Sequence, residues 1–513
     1  MSQPPLFGSE EELALVAHTE GGVQPAPAEL AEAVTEEAAA KVKSLPSPPP
    51  QRRFFLANGG CLYPDMGHAE VASAEASDPY EMAAQRLALR QMVAEAAQEV
   101  GRHFRMPVHL VANNVDYALG GARSYGHHLN VLVDKITLPQ AAAQLAPLLA
   151  AMPAVAGTGK ISFATGSCGF ELSQRAVYFD SLLSKRTTTH RGMITAKDEA
   201  LCARGTRVHV ISLDTAMSPW QLVLVPGMVA LTLDAVMAGA DVARQVAVAD
   251  VPRALQRIST DPSLKATVRL QNGGAATALD ILDHYGGAVE THAARNGGPP
   301  WARHILSLWQ SIVSRLRADP FEEAGRLDWV RKLLVFTKTL RGLDLDWNVF
   351  AKWKSALATL RRLKATWPEE INPQQLTSSA VARARRHRIP LSILDQHLRQ
   401  AGLSWSEVPR FWKAANCLCQ QCVAYHRVTP TEDATWPLTA HSPLSQETVK
   451  RAGTEPPSGT RAAVRAKAIA DAPPGATAGW DFVQVGGRRF VMPDAFGKEA
   501  RWQDLKSGTN KMA

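Results

Sequence analysis

Up to about Asp214, short alternating runs of apolar and polar residues are separated by glycine-containing turns and by longer runs at helical spacing. Arg53-Phe-Phe-Leu-Ala-Asn-Gly-Gly-Cys-Leu-Tyr holds two short apolar runs around Asn58-Gly59. Asn-Gly between such runs is the strongest short-range hairpin signal, and it sets Asp65 at the end of a strand. Apolar residues at helical spacing predict a long amphipathic helix from Asp78 to Phe104. Val108-His-Leu-Val-Ala and Leu129-Asn-Val-Leu-Val read as strands, a helix covers Pro139 to Met152, and further strands lie near Ile161, near Phe170 and from Val208 to Ile211. The connections are mostly hairpin-like, which favours an antiparallel or mixed α+β sheet over a doubly wound one.

From about Asp241 the pattern turns helical, through Trp301 to Arg317, Arg326 to Leu340 and Phe350 to Lys364. Trp480-Asp-Phe-Val-Gln-Val-Gly-Gly-Arg-Arg-Phe-Val-Met alternates around Gly486-Gly487 and reads as a hairpin in a small C-terminal α+β module. The stretch from Thr19 to Gln51, rich in Ala, Glu and Pro and closing on Pro48-Pro-Pro, reads as a mobile, partly helical excursion between two strands.

With 513 residues the chain exceeds the roughly 250–300 at which single cores stop growing, so a large domain and a smaller one are expected. The 46% hydrophobic and 20% charged composition is globular and excludes disorder throughout. The net charge of +8 is spread widely, with a cluster at Arg383, Arg385, Arg386 and Arg388. That cluster is either a solvated helix face or a surface for an acidic partner or phosphate. Basic residues are not interleaved with aromatic stacking groups, so no nucleic-acid partner is expected. The start MSQPPLFGSEEELALV lacks the basic and apolar regions of a secretory signal, and no membrane association is expected. Six cysteines, three of them scattered singly, fit a reducing compartment, and the cytoplasm is the expected location.

The candidate chemistry sits at strand ends. In a strand, Glu10 and Glu12 share a face and offer oxygen ligands to a hard cation; the other reading of such a triplet is a solvated helix start. Tyr63-Pro-Asp-Met-Gly-His-Ala-Glu brings Asp65, His68 and Glu70 close together, and a carboxylate between a metal and a carbonyl can act as base or nucleophile. Further polar groups fall in Asn113-Asn-Val-Asp, Ser124-Tyr-Gly-His-His-Leu-Asn, Ser173-Gln-Arg-Ala, the run from Thr187 through Arg191, Lys197-Asp-Glu, and Arg207-Val-His. No P-loop, dinucleotide fingerprint, Gly-x-Ser-x-Gly or His-Glu-x-x-His occurs. Cys417, Cys419, Cys422 and His426 have a metal-like spacing that equally fits helical thiols.

Taken in order, these segments resemble the Pup ligase and Pup deamidase/depupylase family, glutamine-synthetase-like enzymes that attach or remove the small protein tag Pup. The resemblance runs from Phe7-Gly-Ser-Glu-Glu-Glu through Asn58-Gly-Gly-Cys-Leu-Tyr-Pro-Asp to Phe490-Val-Met-Pro. It implies an α+β fold: a glutamine-synthetase-like large domain over 1–428, with a mainly antiparallel curved sheet backed by helices, and a small α+β domain over 459–513, the polar, Pro-containing stretch 429–458 between them reading as a linker. It implies magnesium at Glu10, Glu12, Tyr63 and Glu70, Asp65 as the catalytic carboxylate, and ATP near Ser73, Arg461, Arg465 and Trp480. On the substrate side it implies Arg191, Lys197, Asp198, Glu199 and Arg207. The implied partners are a Pup-like protein tag, tagged proteins and the proteasome pathway.

The spacing of Asp65-Met-Gly-His-Ala-Glu, together with Gly169-Phe-Glu-Leu-Ser-Gln-Arg and Trp480-Asp-Phe-Val, is closer to the deamidase/depupylase branch. Four departures stand out. An arginine expected before Leu62-Tyr63 is Cys61, His-Glu-Asn has become His128-Leu-Asn, Arg-Asp-Glu-Pro-His has become Lys197-Asp-Glu-Ala-Leu, and Gly-Asp-x-Asn has become Leu213-Asp-Thr-Ala. In this reading Leu129 removes a carboxylate and Cys61 a phosphate-binding charge. Three activities follow: an ATP- and magnesium-dependent amidohydrolase acting on a terminal Gln or isopeptide-linked Glu, a carboxylate-amine ligase, and a degenerate binder of tag or nucleotide.

Overall fold

The computed structural model describes residues 3–17, 25–115, 124–162, 169–197, 202–351, 399, 407–430 and 435–505. The arginine cluster at Arg383 to Arg388 and most of the helix expected from Phe350 to Lys364 lie outside them. The chain opens with strand β1 (Leu6–Ala17), helix α1 (Pro27–Ala40), and strands β2 (Ser44–Pro46), β3 (Phe54–Leu56), β4 (Cys61–Asp65) and β5 (His68–Ala72). Helix α2 (Pro79–His103) and strands β6 (Val108–Val111) and β7 (His127–Val133) follow. These strands join an eleven-stranded sheet whose order runs β2-β3-β4-β5-β1-β7, then Thr206–Leu213, Arg191–Thr195 and Phe179–Ser184. The pairs are antiparallel except Phe179–Ser184 with Arg191–Thr195. β6 pairs with the far half of β1 and with Arg427–Val428.

The central strand β1 decides the layers. Its buried residues alternate, so one face carries Glu11 and Leu13 and the other Glu10 and Glu12. Helix α2 packs on the Glu11 side, capped by Asp78, whose side chain accepts the Tyr80 N–H at 2.7 Å. Arg86 and Arg90 of α2 both grip Glu11, and Arg90 also donates to the Ala216 carbonyl at 2.7 Å. One helix among the described residues, Pro219–Met237, is long and apolar enough to cross a bilayer, and 83% of its apolar window is buried inside the protein.

The excursion is partly helical and lies between two strands, as expected, but its helix α1 is a core element rather than a mobile one. Leu30, Val34 and Ala38 of α1 are spaced one turn apart and buried together with Leu62, Val71 and Val93 in a second core. Pro46 ends β2 at the sheet edge, where a missing N–H breaks no ladder. The stretch expected to be a linker holds a helix, Gln446–Ala452, whose Val449 and Ala452 join the main core. Asn58 of the β3–β4 turn donates to the carbonyls of Ala452 and Gly453, which ties that helix to the hairpin.

The C-terminal module is a four-stranded sheet over Thr477–Ala478, Phe482–Val485, Arg488–Val491 and Arg501–Asp504, with helix Arg461–Ala470 beside it. It sits against the hairpin edge of the large sheet, where Ile469, Ala478, Val483 and Met492 share a core with Phe55, Cys61 and Ala72.

Candidate active site

The residues opposite α2 converge because neighbouring strands are in register. Glu12 faces Glu70, and Glu70 faces Tyr63, so three site residues form one row across β1, β5 and β4. Glu10 faces His128 of β7, and Asn130 faces His209 of the next strand. Asp65 ends β4 opposite His68, across a two-residue turn in which Met66 and Gly67 have φ of 45° and 89°. Sequence patterns reveal the Asn58-Gly59 hairpin and not this second one, because Met is an unusual residue at positive φ.

Two groups of candidate metal ligands result. The ligand atoms of Glu12, Asp65 and Glu70 lie within 4.8 Å of one another, and so do those of Glu10, His128 and His209. The first is an all-oxygen set suited to magnesium, and the second adds two imidazoles. His128 and His209 do not stand out in the sequence as ligands. Only the pairing of β1 with β7, and of β7 with Thr206–Leu213, brings them to Glu10.

The electrostatics of the two groups differ. Burial pushes Glu70 well above the usual carboxylate range, and the charges of Glu10 and Glu12 push it further. Tyr63 donates to Glu70 Oε1 at 2.6 Å, and its phenol is pushed up by burial and by Glu70. Asp65 is raised by burial and by Glu12, against the pull of His68, His128 and Arg53. Glu10 is partly buried, which by itself would raise its carboxyl, yet His128, His209 and the charge of Arg207 hold it well below its ordinary value. Burial lowers His209 to about 4, so its ring is neutral and able to act as a ligand. Its Nε2 faces Glu10 Oε2 at 3.5 Å, while its Nδ1 accepts from Arg207 at 3.0 Å. Crowded carboxylates beside two imidazoles, as the two groups place them, fit divalent cations on this face.

The substrate-side residues divide. Arg207 donates to Asn130 Oδ1 at 2.7 Å and lies 3.3 Å from Glu10 Oε1. Arg191 donates to the Ser124 carbonyl at 2.9 Å, while its buried Nε has no hydrogen-bond partner and its charge faces Glu12. Lys197 is exposed just past its strand, hydrogen-bonded through its backbone N–H to Thr195. Asp198 and Glu199 lie outside the described residues. Arg175, from the Ser173-Gln-Arg-Ala cluster but given no individual role there, is buried and held by carbonyls of His127 and Leu213 with its charge toward Glu12. Asp214, in the altered Leu213-Asp-Thr-Ala segment, accepts from Ser173 Oγ and the Gln174 N–H at 2.8 Å each and so fixes the backbone that carries Arg175. The Gly126 N–H donates to Glu12 Oε2 at 2.6 Å, and a Cβ at 126 would come 2.4 Å from Asn114 Nδ2.

Beside this face a cleft of about 620 Å³, its open mouth included, is lined among others by Phe7, Glu10, Ser73, Arg207, Arg461 and Trp480. Ser73 Oγ is buried at its floor and accepts the Ser9 N–H at 3.0 Å. Trp480 closes it and packs edge-on against Phe55. Arg465 donates to both oxygens of Glu75 and to the carbonyls of Trp480 and Gly59, and it stacks 4.9 Å from the Trp480 ring, while its buried Nε has no hydrogen-bond partner. Arg461 joins it at Glu75 at 2.7 Å. Glu75 is partly buried, but Arg465 and Arg461 hold its carboxyl down to about 2.

Two of the sequence departures look different in three dimensions. Leu129 points into the main core with Val131 and Val133, away from the site. A carboxylate there would not join Glu10 and Glu12, so the expectation that Leu129 strips the site of a charge does not hold. Cys61 does share the side of Tyr63, but it is fully buried under the C-terminal module and its thiol is pushed up to about 12 by burial. Cys417, Cys419 and Cys422 lie along the helix Val408–Tyr425, and among the described residues they form no converging ligand group with His426. His426 instead packs against the Lys332 amine at 2.6 Å.

A family model described as Pup-ligase protein matches residues 22–378. The chain is 33% identical over 301 residues to the Pup deamidase/depupylase of Mycolicibacterium smegmatis, covering 58% of this chain and 60% of that protein. It is 33% identical over 289 residues to the Pup–protein ligase of Acidimicrobium ferrooxidans, covering 54% and 63%. The match thus spans about 60% of the length of these curated relatives. Among solved structures, the complex between prokaryotic ubiquitin-like protein Pup and its ligase PafA superposes with a TM-score of 0.69 over 97% of this chain and 90% of that one, at 19% identity. The Pup ligase PafA in complex with ADP gives 0.63 over 94% of each, at 20% identity. At such identities the likeness is one of fold.

Proposed function

The chain belongs to the Pup-ligase protein family, and from that premise we propose that it is an ATP- and magnesium-dependent amidohydrolase that acts on the C-terminal Gln, or the isopeptide-linked Glu, of a Pup-like tag. The observation that carries this reading is the row Glu12–Glu70–Tyr63 with Asp65 at its open end and the cleft of Ser73, Arg461 and Trp480 alongside. Glu12, Asp65 and Glu70 would hold magnesium on oxygen ligands, and Glu10 with His128 and His209 a second cation. Bound there, the cations would polarise the carbonyl and offset the charge that develops on its oxygen.

The protein's own groups supply the rest. The adenine side of a nucleotide fits against Trp480, with Arg461 and Arg207 at the cleft wall. Arg191, whose Nε has no partner, and Arg207 suit the carboxylates of a glutamyl end. Asp65, half-buried beside Glu12, has two routes: its carboxylate adds to the amide carbon, the amine leaves with a proton from solvent and water then cleaves the acyl-Asp65 anhydride, or it takes a proton from water attacking the amide carbon and the protonated amine leaves. The proteasome pathway and a cytoplasmic setting belong to the same proposal.

The fold likeness to two ligase structures favours a second reading, in which ATP phosphorylates the tag's carboxylate and Asp65 takes a proton from the incoming lysine. Mass spectrometry of Pup in its Gln and Glu forms, and of a pupylated protein, incubated with the chain, magnesium and ATP, separates the two. Loss of the amide or release of the substrate lysine supports the hydrolase; new conjugates with one ATP consumed per bond support the ligase. Asp65→Asn, nearly isosteric, is expected to lower turnover by roughly 10²–10⁴-fold in either case. A variant at wild-type rate removes Asp65 from the mechanism.

A further inference from the structure

Among the guanidinium groups near the carboxylate face, Arg207, Arg175, Arg461 and Arg465 all hold protein acceptors. Arg53 does not. It directly precedes β3, and because Phe54 pairs with Leu62 it stands beside Tyr63 at the outer end of the Glu12–Glu70–Tyr63 row. Its guanidinium carbon lies 4.7 Å from the centre of the Tyr63 ring, whose hydroxyl is bound to Glu70. Its charge reaches Asp65 on one side and Cys61 on the other. Among the described residues it has no side-chain hydrogen bond or ion pair, whereas its neighbour Arg52 is paired with Glu32. It is half-buried, so it does not point freely into solvent.

A planar cation stacked on an aromatic ring, next to a carboxylate cluster that fits a divalent ion, has the form of a clamp for an anion lying between the two. Arginine and magnesium on opposite sides of one oxyanion is the arrangement that stabilises phosphoryl and acyl groups in reaction. The position also bears on Cys61. The guanidinium that the family resemblance expects at 61 is absent, and Arg53, from the neighbouring strand, brings one to the same side of the sheet.

We propose that Arg53 binds an oxyanion of the reacting group, either the terminal phosphoryl of the nucleotide or the terminal carboxyl of the tag, and so replaces the charge missing at Cys61. The proposal rests on the enzymatic reading above. Its test measures, for wild type, Arg53→Ala and Arg53→Lys, the binding of magnesium-ATP and magnesium-AMP by calorimetry and the KM for Pup, with thermal unfolding as a control on folding.

Losing a charge-assisted hydrogen bond predicts about a ten-fold or greater loss in Arg53→Ala. Arg53→Lys should recover only part of it, because lysine lacks the planar fork. Weakened ATP with AMP unchanged identifies the phosphoryl group; a raised KM for Pup with ATP unchanged identifies the carboxyl group. Should Arg53→Ala not fold, Arg53→Lys carries the test alone, and wild-type values for both ligands overturn the proposal. If wild type binds magnesium-ATP while neither ligand is affected in Arg53→Ala, Arg53 is not the clamp and the enzymatic reading stands. If wild type itself binds no magnesium-ATP, the enzymatic reading fails, and this inference with it.

Discussion

Glu11 and Glu12 are neighbours on β1, carry the same side chain and are held in very different ways. Glu11 lies on the α2 side, fully buried, gripped by Arg86 and Arg90, and its carboxyl is lowered despite burial because two guanidinium charges outweigh it. Glu12 lies on the other side, within 4.8 Å of Asp65 and Glu70, and there burial, with the charges of Glu10 and Glu12, drives Glu70 upward. One face is complete without a ligand. The other concentrates like charge in a partly buried place, which no folding requirement explains and which a bound cation would relieve.

The largest expected effect is on the completed face. Glu11→Gln leaves two buried guanidinium groups without their counter-charge, so it should cost roughly 3–5 kcal/mol in urea unfolding at neutral pH. A loss below about 1 kcal/mol would mean that this ion triad contributes little.

The next is at Glu75, which ties the C-terminal module to the hairpin through Arg461 and Arg465. Its folded value of about 2 is depressed below the ordinary 4.5, so its stabilisation is present above about pH 4.5 and is lost as pH falls toward 2. The stability difference between wild type and Glu75→Gln should therefore be greatest at neutral pH and shrink through that acid window. A difference independent of pH would contradict the assignment.

The smallest is on the crowded face. Glu70→Gln removes a charge that its neighbours oppose while leaving an oxygen for Tyr63, so without divalent cations its stability should stay within about 1 kcal/mol of wild type or rise. A loss as large as that of Glu11→Gln would erase the distinction between the two faces.

Much of this arrangement is legible in the chain. The strand period puts Glu10 and Glu12 on one side, Asn58-Gly59 marks its hairpin, and the long helix expected from Asp78 to Phe104 is found as Pro79–His103. The same parity, applied to His128-Leu-Asn, turns Leu129 inward, whereas the motif taken as a string of residues, without its pleat, suggests a missing site carboxylate. The proline-rich composition of 19–51 masks the one-turn spacing of Leu30, Val34 and Ala38 that buries α1. His128 and His209 are beyond the reach of sequence because their meeting with Glu10 depends on the register of three strands distant along the chain. Arg465 escapes for a similar reason: only the docked module shows its guanidinium committed to Glu75.

The central claim, that the Glu10 and Glu12 side of β1 holds divalent cations, is tested most directly by the thermal midpoint of wild type and of a Glu12→Gln, Glu70→Gln double variant, titrated with magnesium and with manganese. The expected result is a rise in wild type that grows with the logarithm of cation concentration above Kd, corresponding to about 2.7 kcal/mol at a hundred-fold excess over Kd, and its loss in the double variant. No rise in wild type, or an equal rise in both proteins, would contradict it.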